Sequence, residues 1–306
     1  MNSIKFQPGY WISLLLVIPM LRILSLLPLS VTYHLGTALG SIFYLLISTR
    51  RDIAIKNLAL CFPHYKQSEI DVIAKNTFRN IARVALASGI NWWSSKEHIQ
   101  KLIQVENLAY FEDAVRSGSN IILLAPHFVA LEIGGIYLST VSPITSVYQR
   151  NKNPLFNALT IHGRTRFGAL ITERQESTLG IVRQMKNGHP LYYLPDQDPG
   201  IHWHPKQSVF APFFNEQAAT WTTLSRLAKI TDAIVIPCKT EILSKGKGFK
   251  VTFSAPITNF PTGNPLSDAA IMNQAIESLV RDIPDQYFWV HKRFKTQPVG
   301  VASHYE

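Results

Sequence analysis

A histidine and a glutamate five positions apart, His127 and Glu132 in the stretch APHFVALEIGG, are the side chains best suited to chemistry in this sequence. They follow an apolar run at 121–124 of the kind that forms a buried strand. Pro126 stops such a strand, and residues 128–137 read as a short helix. On one continuous helix, five residues turn the chain by roughly 140° beyond a full turn, which points the two side chains apart. They meet only if His127 lies in the turn before the helix and Glu132 one turn inside it. The carboxylate would then accept the proton of one imidazole nitrogen, fixing the tautomer and leaving the other nitrogen as a base. A helix N-terminus beside them favours developing negative charge. The same residue types also serve as a helix cap and a packed histidine, so the spacing names a candidate base and does not assign it.

Other polar clusters stand where strands and helices end. Arg150 follows the β-like run at 144–148, and Arg164 and Arg166 close a helical stretch at 154–166. Guanidinium forks at such ends suit phosphate or carboxylate, and equally suit solvated helix C-termini. The segment LYYLPDQDPG runs a strand into an acidic turn containing Asp196, Asp198 and Gly200. With His202 and His204 the aspartates suggest a metal, but the spacing matches no established ligand set, and Asx-turn capping explains them better. No metal is assigned. The segment 285–295 interleaves aromatic and basic residues, fitting an anionic head group or a membrane border. No nucleophile elbow, Walker loop or GxGxxG is present, which favours direct transfer over a covalent intermediate.

Stepping outwards, strand-like runs at 121–125, 144–148, 190–194, 233–238 and 249–254 alternate with helical stretches at 128–139, 154–166, 176–187, 217–230 and 267–281. Such alternation predicts an α/β fold with a central mixed sheet flanked by helices. Lys245-Gly246-Lys247-Gly248 marks an antiparallel hairpin between the last two runs. Before the sheet, helices are expected over 50–62 and 68–88, with a short strand and turn at 105–110. The division is a membrane anchor over 1–49 and a catalytic domain over 50–306, with a helical lead-in at 50–117 and the α/β core at 118–306.

The chain has 306 residues, of which 46% are hydrophobic and 16% charged, with a formal net charge of +10. An apolar, basic protein points to anionic partners such as phospholipid head groups, phosphorylated lipids or an acidic carrier protein. Nucleic acid is excluded as a partner, since no recognition motif accompanies the charge. Cys61 and Cys238 stand far apart, which fits reduced thiols. Residues 10–31 are nearly all apolar, about the length of a membrane helix, with Tyr10 and Trp11 as interface anchors and Arg22 as the awkward charge. The second apolar stretch, 35–47, is short for a span and is expected to pack on the first or to lie in the interface. Arg50, Arg51 and Lys56 place the bulk of the chain on the cytoplasmic side of a single anchor.

Taken in order, the motifs resemble the late (secondary) acyltransferases of lipid A biosynthesis, within the glycerolipid acyltransferase superfamily. The resemblance rests on Arg50-Arg51, NLALCFP from Asn57, APHFVALEIGG, VYQRNKNP, GRTRFG, YYLPDQDPG, SVFAPFF and QYFWVHKRFKT. It implies a glycerol-phosphate acyltransferase-like fold, acyl-carrier protein as donor, a Kdo-bearing lipid A precursor as acceptor, no cofactor, and an inner-membrane site among phospholipids. It implies His127 and Glu132 as the catalytic pair, Arg164 for the oxyanion, Arg150 and Arg166 for phosphate or donor, and Asp198 and Gly200 for the far wall. An acyl channel would follow, walled by Phe128, Leu131, Ile136, Tyr137, Phe213 and Phe214, with Gly134 and Gly135 either leaving room beside it or letting helices pack closely. Three rivals stand beside this reading. A CoA-dependent phospholipid acyltransferase carries Pro-Glu-Gly where this chain has Pro-Asp-Gln-Asp-Pro-Gly. A metal-dependent hydrolase would rest on Asp196, Asp198, His202 and His204, and a membrane-bound binding protein on charge and the apolar N-terminus.

Overall fold

The computed structural model describes residues 8–174, 178–200 and 207–305. Seven strands form one sheet: β1 (Ile103–Glu106), β2 (Asn120–Leu124), β3 (Thr145–Tyr148), β4 (Leu170–Glu173), β5 (Leu191–Tyr193), β8 (Ala233–Ile242) and β9 (Phe249–Phe253). Between them in sequence, β6 (Ser208–Phe213) and β7 (Glu216–Trp221) pair as a separate antiparallel hairpin. The order across the large sheet is β1-β9-β8-β2-β5-β3-β4. All neighbours run parallel except β8 and β9, so the sheet is mixed.

Strand β2 lies between β8 and β5, and its Ile121 to Leu124 side chains are all buried. A strand covered on both faces needs a continuous apolar run, which explains why it stands out in the sequence. Helices Leu131–Val141, Pro154–Thr165 and Thr178–Lys186 connect the parallel strands. Strand β5 returns to insert between β2 and β3, so the polypeptide reverses its direction of travel across the sheet beside β2. Crevices at such reversals, beyond the carboxyl ends of the strands, are where open α/β sheets hold ligands.

The expected hairpin forms between β8 and β9. Gly248, at φ +113°, needs to be glycine, because a Cβ there would lie 2.3 Å from the carbonyl oxygen of Leu102. Three strands, β4, β6 and β7, escape the sequence pattern. Strand β4 is four residues long, and the expected helix over 217–230 begins instead as β7, with helix Thr223–Thr231 behind it. The Ala218-Ala219-Thr220 run has no strong strand signature, and pairing with β6 decides its state. The short strand expected at 105–110 forms slightly earlier, as β1, and joins the sheet through β9.

The N-terminal helices differ from expectation in their lengths. The run over 8–24 includes a π-helical turn at Ser13–Val17 and ends before Pro28, while Leu29–Leu46 is an 18-residue helix. That second helix, and not the first, is long and apolar enough to cross a membrane. It lies against helix Gln67–Ala87 through Thr32, Gly36 and Gly40, which are buried. A Cβ on Gly36 or Gly40 would come within 2.6 or 2.4 Å of the Cα atoms of Arg83 and Arg79, so the two backbones touch. Arg83 and Arg79 reach back to Thr37 and Ser41 at 3.0 and 2.9 Å. The outer faces of both N-terminal helices, from Trp11 and Leu15 to Leu39, Ile42 and Leu46, are exposed apolar surface. Arg22 sits over the ring of Trp93, 5.5 Å from its centroid.

This packing predicts that Gly40→Leu destabilises the protein by about 1–3 kcal/mol, as overpacking does. Leu39→Ala, on the exposed face, should change stability by less than about 0.5 kcal/mol. Thermal unfolding of both variants in detergent checks the contrast, and an equal shift for the two would refute the close approach.

Candidate active site

Strand β2 delivers His127 to the crevice. Pro126 ends the ladder, the Phe128 N–H turns back to the Pro126 carbonyl at 2.6 Å, and the helix begins only at Leu131. His127 therefore lies in the turn, as the spacing requires. Its backbone is held on both sides. The His127 N–H donates to Asp196 Oδ2 at 2.8 Å, and its carbonyl accepts from the Phe288 N–H at 3.0 Å. The Val129 N–H donates to the Gln286 carbonyl at 2.9 Å, so residues 127–129 pair like a strand with 286–288.

The carboxylate bonded to His127 is Asp196 and not the expected Glu132. His127 Nδ1 lies 2.6 Å from Asp196 Oδ1, while the Tyr287 hydroxyl donates to Asp196 Oδ2 at 2.8 Å. Asp196 follows β5 by three residues, and its side chain is 1% exposed. Burial alone would raise its carboxyl, but the charge and hydrogen bond of His127, its backbone N–H and the Tyr287 hydroxyl hold it down at about 2. Burial likewise disfavours the charged imidazole, yet Asp196, aided by the charge of Glu132, raises His127 above the usual histidine value. With Nδ1 committed to Asp196, Nε2 is the nitrogen left for a substrate.

Glu132 pairs instead with Arg164 in a two-pronged ion pair, Arg164 Nε lying 3.1 Å from Glu132 Oε2 and Nη2 meeting Oε1. Helix Leu131–Val141 supplies the carboxylate in its first turn, and helix Pro154–Thr165 supplies the guanidinium in its last. The i+5 spacing thus puts Glu132 into the same cavity as His127 without a bond between them. The carboxylate that does bond His127 comes from the turn after β5, 69 residues on.

His127, Glu132 and Arg164 line one cavity of about 680 Å³, a size typical of ligand pockets. Its apolar wall includes Val84, Ile144, Val147, Ile181, Tyr192 and Leu227, and its polar edge includes Gln149, Arg174, Gln197 and Gln207. Phe128, Leu131, Gly135 and Ile136 also line it. The two neighbouring glycines separate in function. A Cβ on Gly134 would strike Thr240 Oγ1 of β8, whereas one on Gly135 would face Tyr192 in the cavity at 3.3 Å. Tyr192 is fixed there by donating to the Leu131 carbonyl at 3.1 Å.

Several other expected residues lie elsewhere. Arg166 donates to the Ser94 and Ile90 carbonyls at 2.5 and 3.3 Å and stacks on Phe167, so it ties two helices together away from the cavity. Arg150 stands near the rim, 70% exposed and 3.7 Å from Glu173. Asp198 lines the cavity, but its oxygens accept from Thr296 N–H and hydroxyl at 2.7 and 2.8 Å and from the Gly200 N–H at 2.7 Å. Gly200, at φ +65°, shapes that turn. Tyr137 is buried outside the cavity lining, and Phe213 and Phe214 pack in the core with Phe62 and Phe294. His202 and His204 lie outside the described residues. Asp196 and Asp198 both spend their oxygens on protein donors.

Tyr287 belongs to the aromatic–basic segment expected at a head group or membrane border. That segment is instead a buttress. Asn57 donates to the Trp289 and His291 carbonyls, both at 2.7 Å, and Arg50 to the Val290 carbonyl at 3.2 Å.

Bacterial lipid A biosynthesis acyltransferases match residues 3–296 as a family. This chain belongs to that family. The acyltransferase is 32% identical to the lipid A biosynthesis lauroyltransferase of Escherichia coli K12 over 99% of this chain and 98% of that protein. It is 30% identical to the palmitoleoyltransferase of the same strain, over 98% and 96% of the two chains. The myristoyltransferase of that strain matches at 27% over 98% and 92%.

The triple clamp on Asp196 gives the acyltransferase a sharp test. Three donors converge on it, so an asparagine must turn its amide N–H group towards one of them. Asp196→Asn should lower kcat by roughly 10²–10⁴, the range for losing a general base. In any surviving activity the acidic limb of the pH–kcat/KM profile should move to lower pH, because the carboxylate that raises His127 is gone. In the wild type that limb should lie above the usual histidine value, with activity rising as His127 loses its proton. Glu132→Gln should shift the limb less, since its charge acts on His127 without a hydrogen bond. A larger shift for Glu132→Gln than for Asp196→Asn would overturn the assignment.

Proposed function

We propose that this acyltransferase moves a fatty acyl chain from the thioester of acyl-carrier protein to a hydroxyl of a Kdo-bearing lipid A precursor. The observation that carries the chemistry is the buried Asp196 bound to His127 Nδ1 at the mouth of an apolar cavity. His127 Nε2 takes the proton of the acceptor hydroxyl as that oxygen attacks the thioester carbon. The tetrahedral oxyanion gathers beside Arg164, whose guanidinium Glu132 pins in place inside the cavity. Collapse expels the carrier thiolate, and the proton held on Nε2 passes to the sulfur. The acyl tail lies along the apolar wall, and no metal or cofactor enters the sequence of steps.

The setting we infer is the cytoplasmic face of the bacterial inner membrane. The exposed apolar faces of helices 8–24 and Leu29–Leu46 support it, with Arg50, Arg51 and Lys56 following the second helix. Arg150 stays a candidate for phosphate or donor, and Asp198 with Gly200 for shaping the far side of the cavity. Arg166 serves structure in this reading.

His127→Ala should reduce turnover by roughly 10²–10⁴ while the protein stays folded. Assay with acyl-carrier protein and a lipid A precursor, beside near-ultraviolet circular dichroism, checks both halves. Normal turnover by the variant would sink the general-base role.

Chain length offers a second check. Each buried methylene contributes roughly 0.8 kcal/mol, so a wall that stops the acyl tail inside the cavity selects the donor by length. Gly135→Met, which pushes a side chain towards Tyr192, should shorten the preferred acyl chain. Gly134→Ala should leave the preference alone and reduce stability, because its Cβ meets Thr240. Donor competition among thioesters of different length reads both. An unchanged preference in Gly135→Met would place the selecting surface elsewhere.

A further inference from the structure

Beyond the reaction itself, the cavity's rim carries a feature that the transfer chemistry leaves unused. Strands β3 and β4 are adjacent and parallel, with Tyr148 opposite Glu173 at their ends. Immediately past those ends come Arg150 and Arg174. The Arg174 N–H continues the ladder by donating to the Tyr148 carbonyl at 2.9 Å, which keeps the two arginines on one edge. Arg174 lines the cavity, and its guanidinium lies over the indole of Trp221 from β7, 5.6 Å from the ring centroid. Among the described residues no carboxylate pairs with Arg174. A guanidinium stacked on an aromatic face has its plane set while its N–H edge stays available.

Glu173 neutralises this edge only in part. Its Oε1 accepts from the Tyr148 hydroxyl at 2.8 Å and lies 3.7 Å from Arg150 Nε, too far for a hydrogen bond. With Lys152 the edge carries three cations against one carboxylate. The same loop is tied to the N-terminal helix, since the Tyr10 hydroxyl donates to the Lys152 carbonyl at 3.2 Å and Asn153 Nδ2 to Ser13 Oγ at 2.9 Å. Tyr10 and the half-exposed Trp11 are residues of the kind that settle at the head-group level of a bilayer. A cationic edge at that level, above an apolar cavity, matches a molecule with a phosphate at one end and hydrocarbon at the other.

We propose that Arg174 and Arg150 form a phosphate subsite at the rim of the cavity, positioning one of the two substrates by its phosphate. This rests on the acyl-transfer reading above and names a recognition element for it. Two sources offer the same chemistry: a phosphate on the lipid acceptor's head group, or the phosphodiester of the donor's prosthetic arm. Neither arginine takes part in proton transfer, so their loss acts on KM.

The test uses the full chain in detergent, with Arg174→Ala, Arg150→Ala and the double variant. Acceptors are a phosphorylated glucosamine-based lipid and the same lipid after phosphatase treatment. Donors are acyl-carrier protein and an acyl N-acetylcysteamine thioester, which has no phosphate. The double variant should raise KM about tenfold for one phosphate-bearing substrate, the size of a solvent-facing charge-assisted contact pair. That rise should vanish for the matching phosphate-free compound, with kcat changed by no more than about twofold, as loss of uniform binding requires. A rise confined to the acceptor assigns the head group, and one confined to the donor assigns the prosthetic arm. Arg174→Lys should recover part of the loss, since it keeps the charge without the planar fork.

Unchanged KM for both, or equal rises with and without phosphate, overturns the subsite. Wild-type protein inactive on every substrate pair would overturn the transfer reading instead. Calorimetric binding of the phosphorylated and phosphatase-treated lipids, and of carrier protein with and without its prosthetic arm, to wild type and double variant then decides the subsite without turnover. A phosphate-dependent affinity lost in the variant supports it, and no phosphate dependence in either lipid or carrier refutes it.

Discussion

One buried carboxylate organises the catalytic end of this molecule. Asp196 is almost wholly out of water, a state that an unpaired carboxylate cannot sustain at neutral pH. It stays ionised because three donors from two other segments meet it: the His127 backbone and ring, and the Tyr287 hydroxyl. The bonds run both ways in consequence. They keep Asp196 charged, and through it they fix where His127 sits, which tautomer it holds and how readily it takes a proton. Around this point β2, β5 and the segment after Pro284 are drawn together, and the Asn57 and Arg50 contacts from helix Ser48–Cys61 brace the last of them.

A division of labour among charges follows. The cavity holds two opposed pairs, His127 with Asp196 and Arg164 with Glu132, each fixed by its own hydrogen bonds. In the proposed reaction the first moves a proton and the second presents a positive charge that does not titrate. Keeping them separate lets the imidazole change its protonation state without releasing the guanidinium. Had Glu132 bonded both, each proton transfer would have altered the aim of Arg164.

Much of this was legible in the sequence, and the exceptions have physical reasons. The apolar run of β2 and the Pro-His turn marked the position of the proposed base, because burial on both faces and a missing backbone N–H leave unmistakable marks. Spacing also required His127 to precede the helix, as it does. What spacing could not supply was the partner, because Asp196 is brought in by the parallel pairing of β2 with β5, 69 positions away. Its motif was visible, yet aspartates in turns so often cap their own backbone that local chemistry offered a sufficient account. Strand β7 was mistaken for the start of a helix because alanine and threonine have no strong preference and the partner strand decides. Gly134 and Gly135 looked alike, and only the position of β8 behind one of them tells packing from space. The N-terminal helices were recognised as apolar, but which one is long enough depends on where Pro28 breaks the chain.

The reach of the Asp196 clamp bears on how the enzyme comes into being. Its bonds join positions 69 and 91 residues apart, and the Asn57 brace closes loops of 232 and 234 residues. Such contacts are formed late, after loop-closure entropy has been met by the sheet itself. A ribosome that has released the chain only just past β5 has made His127 and Asp196, but not the tyrosine and the backbone strip that hold them. Asp196 therefore gains its full set of donors only after residue 287 has been made. By then both apolar N-terminal helices have long been synthesised, so the clamp closes only after that hydrophobic surface exists.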